Sequence, residues 1–508
     1  MPQLKFPLRN AILLHRPVLR LSVAFPVLLA ALAVLVLVVN AYPRPAPFWA
    51  DEAYTVLEVR AASWPEFLHI NLQNEETPPL YFALLRLWSM AWASSDETTL
   101  RLFSAACLAF TVPLVGFLGR RLWNPQIGLV AAILLAVNPA AHYYGQEARA
   151  YALALLLAAA VLLVGQLYLQ RPRLRWGVAY VLAGTLLLYT NYFGAFTLAG
   201  LGLFAAVLLF VRWYRQRQPV ARWAMLGWVG VQLCILALWV PWLSGLRYQL
   251  AVSGAARAPE QRNLLLQAAL SLLALGAHLP DLSILSNVLL VVLSMALVAA
   301  TVQVVRKAPA RQWFWLLAVL VFPLLGGLLL LRDDGQFSVR YVLLALPAYV
   351  LLLAAGSLLP SRAEILPRTL LVGVIALSAC YSLVVAPTPQ RRVAWDQVAR
   401  VVEQGTQRDD VLLFSPPWSQ PAFDVQYHGP PLPQYGATSF AEYYYEGHHA
   451  FSEELDAATL RRELAQGYRV WLVWDRIYAH QPQLPPQVKV EEHRFGTTEV
   501  LLVTPEER

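Results

Sequence analysis

The chain has 508 residues, of which 58% are hydrophobic and only 14% charged, with a formal net charge of +8. So little charge on so apolar a chain excludes an ordinary soluble domain and points to a polytopic membrane protein. The basic excess belongs to the part before residue 388, with 28 Lys/Arg against 14 Asp/Glu, while the remainder carries 11 against 17; basic loops of a membrane domain explain that split better than contact with nucleic acid.

The first apolar run, residues 21–39, follows Lys5, Arg9, Arg16 and Arg20. It is longer than the apolar region of a signal peptide and no small-x-small site follows, so it reads as an uncleaved helix with a cytoplasmic N-terminus. Further runs centre near residues 87, 109, 133, 158, 183, 203, 235, 271, 295, 321, 350 and 377. The positive-inside rule puts Arg120-Arg121, Arg171/Arg173/Arg175, Arg212/Arg215/Arg217/Arg222, Arg306-Lys307/Arg311 and Arg362/Arg368 in the cytoplasm. That assignment holds only if two runs fail to span. Residues 79–93 are short, open on Pro78-Pro79 and precede Ser95-Asp96-Glu97, and residues 263–279 follow a polar stretch; both are predicted to lie on the outer surface. Eleven crossings then remain, and a thirteen-crossing path leaves residues 388–508 on the same outer side. Cys107, Cys234 and Cys380 each fall inside an apolar run without metal-ligand spacing.

On this path the outer face collects residues 42–98, 141–149, 191–194, 247–283 and 332–340. Asp51, Glu52, Glu147, Arg149, Asn191, Asp333, Asp334 and Arg340 therefore share one compartment. From about residue 388 the pattern changes. Period-2 apolar segments at 411–414, 469–474 and 500–503 alternate with helical patterns at 396–403 and 453–466, which predicts a small α/β domain. The Pro-, Tyr- and His-rich stretch 416–449 reads as irregular, and His448-His449 within it as a solvated loop, since adjacent histidines do not easily face one ion.

Asp51 and Glu52 follow Phe48-Trp49 and precede a helix predicted over residues 53–61. Charge so close to a membrane span is costly unless paired or placed in a polar cavity. Asp51 suits a helix N-cap, and it equally suits a general base within reach of an acceptor hydroxyl; the roles do not exclude each other.

The succession Phe48-Trp49-Ala50-Asp51-Glu52-Ala53-Tyr54, Thr77-Pro78-Pro79-Leu80-Tyr81, Leu100-Arg101-Leu102 and Tyr143-Tyr144-Gly145-Gln146-Glu147-Ala148-Arg149-Ala150-Tyr151 resembles the GT-C glycosyltransferases. Within them it is most similar to the branch of the protein O-mannosyltransferases and the lipid A aminoarabinose transferase. The resemblance runs in register over about the first 200 residues. It implies a GT-C membrane domain of about 11 to 13 helices over residues 1–387, with an outer loop at 42–98 carrying surface helices, and an extracytoplasmic α/β domain over 388–508. It also implies a plasma-membrane enzyme that moves a sugar from a polyprenyl-phosphate carrier to a hydroxyl of a protein, lipid or glycan, with inversion.

By the same resemblance Asp51 is the base, and Glu52 orients Asp51 or the acceptor. The departing phosphate needs an anion clamp, for which the arginine fork is suited. Arg101 matches a functional arginine of the family, and Arg340-Tyr341 matches pairs near the lipid phosphate; on position alone each arginine is equally an interfacial anchor. Tyr54, Tyr143, Tyr144, Glu147, Arg149, Tyr151, Asn191 and Tyr192 are the expected sugar or acceptor contacts, with an aromatic belt as the structural alternative for the tyrosines. One departure stands out: many relatives have His where this chain has Thr77. No Asp-x-Asp pattern lies near the outer site, so neither a divalent metal nor another cofactor is expected. A transporter or flippase of lipid-linked saccharides is the rival reading. It is disfavoured because transporters place ionisable groups near mid-membrane and carry repeats.

Overall fold

The computed structural model describes residues 10–41, 47–216, 219–254, 273, 284–329, 339–359, 365–384, 394–436, 453–476 and 484–505. Each of the eleven runs expected to cross is helical there. Among the described residues eight helices are long and apolar enough to span: Val23–Ala41, Glu97–Leu122, Tyr151–Gln170, Gly194–Arg215, Trp223–Ala251, Asn287–Lys307, Ala310–Leu328 and Ile365–Ser382. Pro125–Ala136 and Pro139–Gly145 form a pair bent by 58°, and Leu174–Thr190 and Leu343–Leu358 are shorter apolar helices. The break follows from the sequence. Asn138 accepts the Ala141 N–H at 2.8 Å as a new N-cap, and Pro139 takes the first-turn position where its missing N–H costs nothing.

Close helix contact in the bundle depends on small residues. A Cβ on Gly128 would lie 2.3 Å from the Gly116 carbonyl oxygen, so Pro125–Ala136 approaches Glu97–Leu122 backbone to backbone.

The loop helix Leu80–Trp92 has 13 residues, about 20 Å at 1.5 Å per residue and short of a hydrocarbon core of about 30 Å. It packs against Ala50–Arg60 and Glu97–Leu122. The companion segment 263–279 lies outside the described residues apart from Leu273.

The described residues between 394 and 505 form the expected α/β unit. Its mixed sheet runs β2-β1-β3-β5-β4, with β1 Val411–Ser415, β2 Gln434–Tyr435, β3 Val470–Asp475, β4 Val488–Phe495 and β5 Thr498–Pro505. Strands β2, β1 and β3 are parallel, and β3, β5 and β4 antiparallel. Every residue of β1 and β3 is buried, as the near-continuous apolar runs of two-sided strands require. Helices Trp395–Gly405 and Glu453–Ala465 match the two helical patterns.

This unit shares a core with the loop after the first span. Phe48, Val56, Phe67, Tyr81 and Phe82 belong to one buried cluster with Trp395, Phe414, Phe423 and Trp471. Gln426 also donates to Glu97 at 3.0 Å. Loop helices, tail domain and the start of Glu97–Leu122 therefore lie at one end of the bundle.

Candidate active site

The helix carrying Asp51 runs Ala50–Arg60, three residues earlier than expected. Its N-cap position is Trp49, whose N–H donates to Glu52 Oε2 at 3.4 Å. Asp51 is therefore not the cap. It sits in the first turn, where the helix dipole still favours its charge.

Successive helical side chains diverge by about 100°, which separates the two adjacent acids. Glu52 turns inward, fully buried. Arg101 Nε donates to its Oε1 at 2.9 Å and Nη2 to its Oε2 at 2.5 Å, and the Ala148 N–H adds a bond at 2.9 Å. Arg101 also reaches the Pro47 carbonyl at 3.1 Å and stacks over Phe48. Its side chain is 10% exposed and that of Glu52 0%. The pair that sequence reading divided between orienting the base and clamping phosphate thus forms one interior ion pair joining three chain segments.

Asp51 turns the other way. Its Oδ2 meets Arg340 Nη1 at 3.5 Å, and the two side chains are 32% and 33% exposed. Arg340 Nη2 donates to Tyr341 Oη at 3.1 Å, and Tyr341 packs on Phe193. A carboxylate and a guanidinium, both open to a solute, are the reactive-looking couple of this end of the bundle.

A third ion pair lies behind them. Arg149 binds both oxygens of Glu75, with Nη2 to Oε2 at 2.7 Å, and its Nη1 also donates to the Asp51 carbonyl at 2.9 Å and to Thr55 Oγ1 at 3.1 Å. It therefore holds the backbone of the residue whose side chain faces Arg340. Glu75 was not legible as a site residue, although it lies two positions before Thr77-Pro78-Pro79. Nor was Glu58, fully buried with Asn71 Nδ2 at 3.1 Å; the polar spacing Asp51, Thr55, Glu58 at i, i+4, i+7 on a short helix was its available signal. Burial pushes Glu58 well above the ordinary carboxylate range, with the Glu75 charge adding to the effect, and burial likewise raises Glu75 against the pull of Arg149.

The remaining expected contacts divide. Tyr144 stacks edge-on with Tyr143 and Tyr151, at 5.1 and 5.0 Å between ring centres, and Glu147 is buried within electrostatic reach of Arg101 and Tyr151. Tyr54 instead donates to the Trp418 carbonyl at 3.1 Å and ties the Asp51 helix to the tail domain. Asn191 is buried and accepts the Phe193 N–H through Oδ1 at 2.9 Å, a turn-forming bond. Tyr192 donates to Gln249 Oε1 at 2.5 Å and accepts from Trp242 Nε1 at 2.8 Å, while Gln249 Nε2 reaches the Thr77 carbonyl at 3.1 Å. These bonds give Tyr54, Asn191 and Tyr192 scaffolding contacts. Asp333, Asp334, His448 and His449 lie outside the described residues. Among the described residues no group of three His, Cys, Asp or Glu is arranged to hold a metal ion.

Residues 76–244 match the family model of the dolichyl-phosphate-mannose-protein mannosyltransferases. The structure is similar to that of ArnT from Cupriavidus metallidurans in the apo state, with a TM-score of 0.61 at 15% identity over 95% of this chain and 98% of that one. The same protein bound to undecaprenyl phosphate gives 0.60 at 14% identity over 94% and 98%. The arabinofuranosyltransferase AftD from Mycobacteria gives 0.52 at 16% identity, over 94% of this chain and 42% of that one. No curated protein matches the sequence. The chain is a multi-pass membrane protein of GT-C fold that resembles the O-mannosyltransferase and ArnT branch.

Proposed function

We propose that the protein is a membrane glycosyltransferase that moves a sugar from a polyprenyl-phosphate carrier to an acceptor hydroxyl at the extracytoplasmic surface, with Asp51 as the general base. The observation that carries this reading is the half-open Asp51–Arg340 couple beside two sequestered ion pairs. Asp51 takes the proton of the attacking hydroxyl as its oxygen bonds to the anomeric carbon, and the carbon–phosphate-oxygen bond breaks on the opposite side, with inversion. Phosphate leaves readily without a general acid, provided its growing charge meets a preorganised cation. Arg340 supplies that cation, and the Tyr341 hydroxyl bonded to it helps fix the fork.

Arg101 and Arg149 act at one remove. Their forks are filled by Glu52 and Glu75, so they hold the Asp51 helix in place. The tyrosines at 143, 144 and 151, with Glu147, are the proposed sugar-facing wall. No divalent ion is required in this scheme. The likeness to an ArnT structure bound to undecaprenyl phosphate supports a polyprenyl-phosphate donor.

The test offers purified full-length protein a panel of polyprenyl-phosphate sugars, with and without chelator, and follows donor consumption by mass spectrometry. Consumption of one donor with release of free polyprenyl phosphate, unaffected by chelator, is expected. Movement of intact donor across vesicle membranes without cleavage would favour the flippase reading instead.

A further inference from the structure

Glu58 and Glu75 present a problem that their surroundings solve in only one way. Both are buried, 0% and 4% exposed, and their carboxyl groups lie within hydrogen-bond reach of each other. Asn71 donates to Glu58 Oε2, while Glu58 Oε1 is buried with no donor among the described residues. Glu75 already has the Arg149 fork on both oxygens. Two ionised carboxylates cannot sit in contact in a desolvated site around a single guanidinium, and an acceptor oxygen facing another acceptor lacks the hydrogen that a bond needs.

We propose that Glu58 and Glu75 share one proton at neutral pH, and that this proton withholds one negative charge from the cluster behind Asp51 so that Arg340 stays available to an anionic donor. The charged neighbours can be counted by element. The Asp51 helix contributes Asp51, whose charge is felt at Glu75, and Arg60, which is exposed and bonded to Ser95. Helix Trp64–Asn74 contributes Asn71, with Glu66 and His69 exposed. Helix Leu80–Trp92 contributes Arg86, whose Nη1 bonds to the Val59 carbonyl at 3.0 Å and more loosely to that of Glu58. Arg149 comes from the turn before Tyr151–Gln170, and Glu52–Arg101 is a closed pair on the far side of the helix. With Glu58 protonated, the carboxylates of Asp51 and Glu75 face the guanidiniums of Arg340, Arg149 and, at the C-terminal end of the helix, Arg86. With the proton lost, one more negative charge stands behind Asp51 before any phosphate arrives. The raised affinity of both carboxyls for protons, caused first by burial, agrees with the proton's being held.

The functional half rests on the donor reading above; the shared proton does not. Infrared spectra of the full-length protein in lipid nanodiscs test the proton directly. A protonated-carboxyl C=O band is expected at pH 7, absent in Glu58→Gln, whose amide keeps a donor toward Glu75 and an acceptor toward Asn71. The same band should fade in wild type as pH rises. A wild type without a band that Glu58→Gln removes would overturn the proposal.

Binding of undecaprenyl phosphate to wild type and to Glu58→Gln at each pH tests the consequence, with the probe's own ionisation cancelling in the ratio. Wild type should lose about tenfold in affinity relative to the variant as the band disappears, the effect of one extra charge some 10 Å away at intermediate dielectric. Parallel curves would overturn the charge role. If neither protein binds the probe at any pH, the donor reading fails and the charge role with it, and the infrared band alone decides the shared proton.

Discussion

Asp51 and Glu52 are neighbours of the same chemistry, yet the structure requires opposite responses to the same substitution. In Glu52→Gln, Arg101 keeps its burial and loses its counter-charge. Removing one partner of such a pair costs about 3–5 kcal/mol, because a buried charge is left uncompensated. In Asp51→Asn, the lost interaction spans 3.5 Å between groups about one-third exposed. Bare Coulomb energy there runs from about 1 kcal/mol in water to about 5 kcal/mol at an effective dielectric of 20, and solvent screening holds it near the lower end. Asp51→Asn should therefore unfold within about 1 kcal/mol of wild type while sugar transfer falls at least about 100-fold, the lower end of what a general base supplies. Undecaprenyl phosphate should bind Asp51→Asn as well as wild type or several-fold better, since Arg340 is released from its carboxylate. Thermal unfolding of the purified variants, transfer kinetics with the donor identified by mass spectrometry, and carrier binding measure the three quantities. Equal stability losses in both variants, or near-normal turnover in Asp51→Asn, would refute the division of roles.

Arg340→Lys should keep charge but lose the fork and give a partial defect in carrier affinity and transfer, with Arg340→Ala much worse; equal activity in all three proteins would reduce Arg340 to an anchor. Glu58 makes a pH prediction for stability. Its proton affinity is raised by burial, so above the unfolded value of about 4.3 the unfolded chain releases a proton that the folded one retains. Wild-type stability should fall as pH climbs toward the raised folded value, and the advantage of Glu58→Gln in unfolding temperature should widen over that window; a constant gap would contradict the buried proton. Gly128→Leu should fail to fold or lose several kcal/mol, since its Cβ meets the Gly116 carbonyl, as read by detergent-solubilised yield and thermal unfolding. A cysteine at Ser95 in a background without Cys107, Cys234 and Cys380 should react with a membrane-impermeant thiol reagent in intact cells, and one at Gln218 only after permeabilisation; a shielded Ser95 site would send the loop helix Leu80–Trp92 across the membrane.

The helical skeleton was readable because each of the eleven runs is long and apolar. The tail domain was readable in β1, β3 and β5, whose residues are buried in apolar runs. It was not readable in β4, an exposed edge strand reading Val-Lys-Val-Glu-Glu-His-Arg-Phe, which has no clean alternation because neither face is a core face. At the site, the motifs led to residues that the structure gathers at one end of the bundle, but not to their partners. Nothing in the spacing of Glu52 and Arg101, or of Glu75 and Arg149, tells which acid pairs with which arginine across 49 and 74 positions of chain. That choice is made by which way each short helix rotates as it packs. A helix start misplaced by three residues was enough to cast Asp51 as a cap.

Two of the three ion pairs, Glu52–Arg101 and Glu75–Arg149, are sequestered and Asp51–Arg340 is half open, and that division explains why so much charge is gathered at one end of an apolar bundle. Buried pairs of this kind give little net stability, yet each one here joins distant segments. Arg101 ties the start of a spanning helix to the Asp51 helix and to Pro47, and Arg149 ties the turn at residue 149 to Glu75 and to the Asp51 backbone. Tyr54, one turn beyond Asp51, adds the tail domain through the Trp418 carbonyl. The proposed base, on a helix of eleven residues, would otherwise be loosely held, since a helix that short has little stability of its own. Fixing its backbone from three sides leaves only the Asp51 side chain and the Arg340 fork free to respond to a substrate, which is the preorganisation that attack on one side and phosphate departure on the other demand.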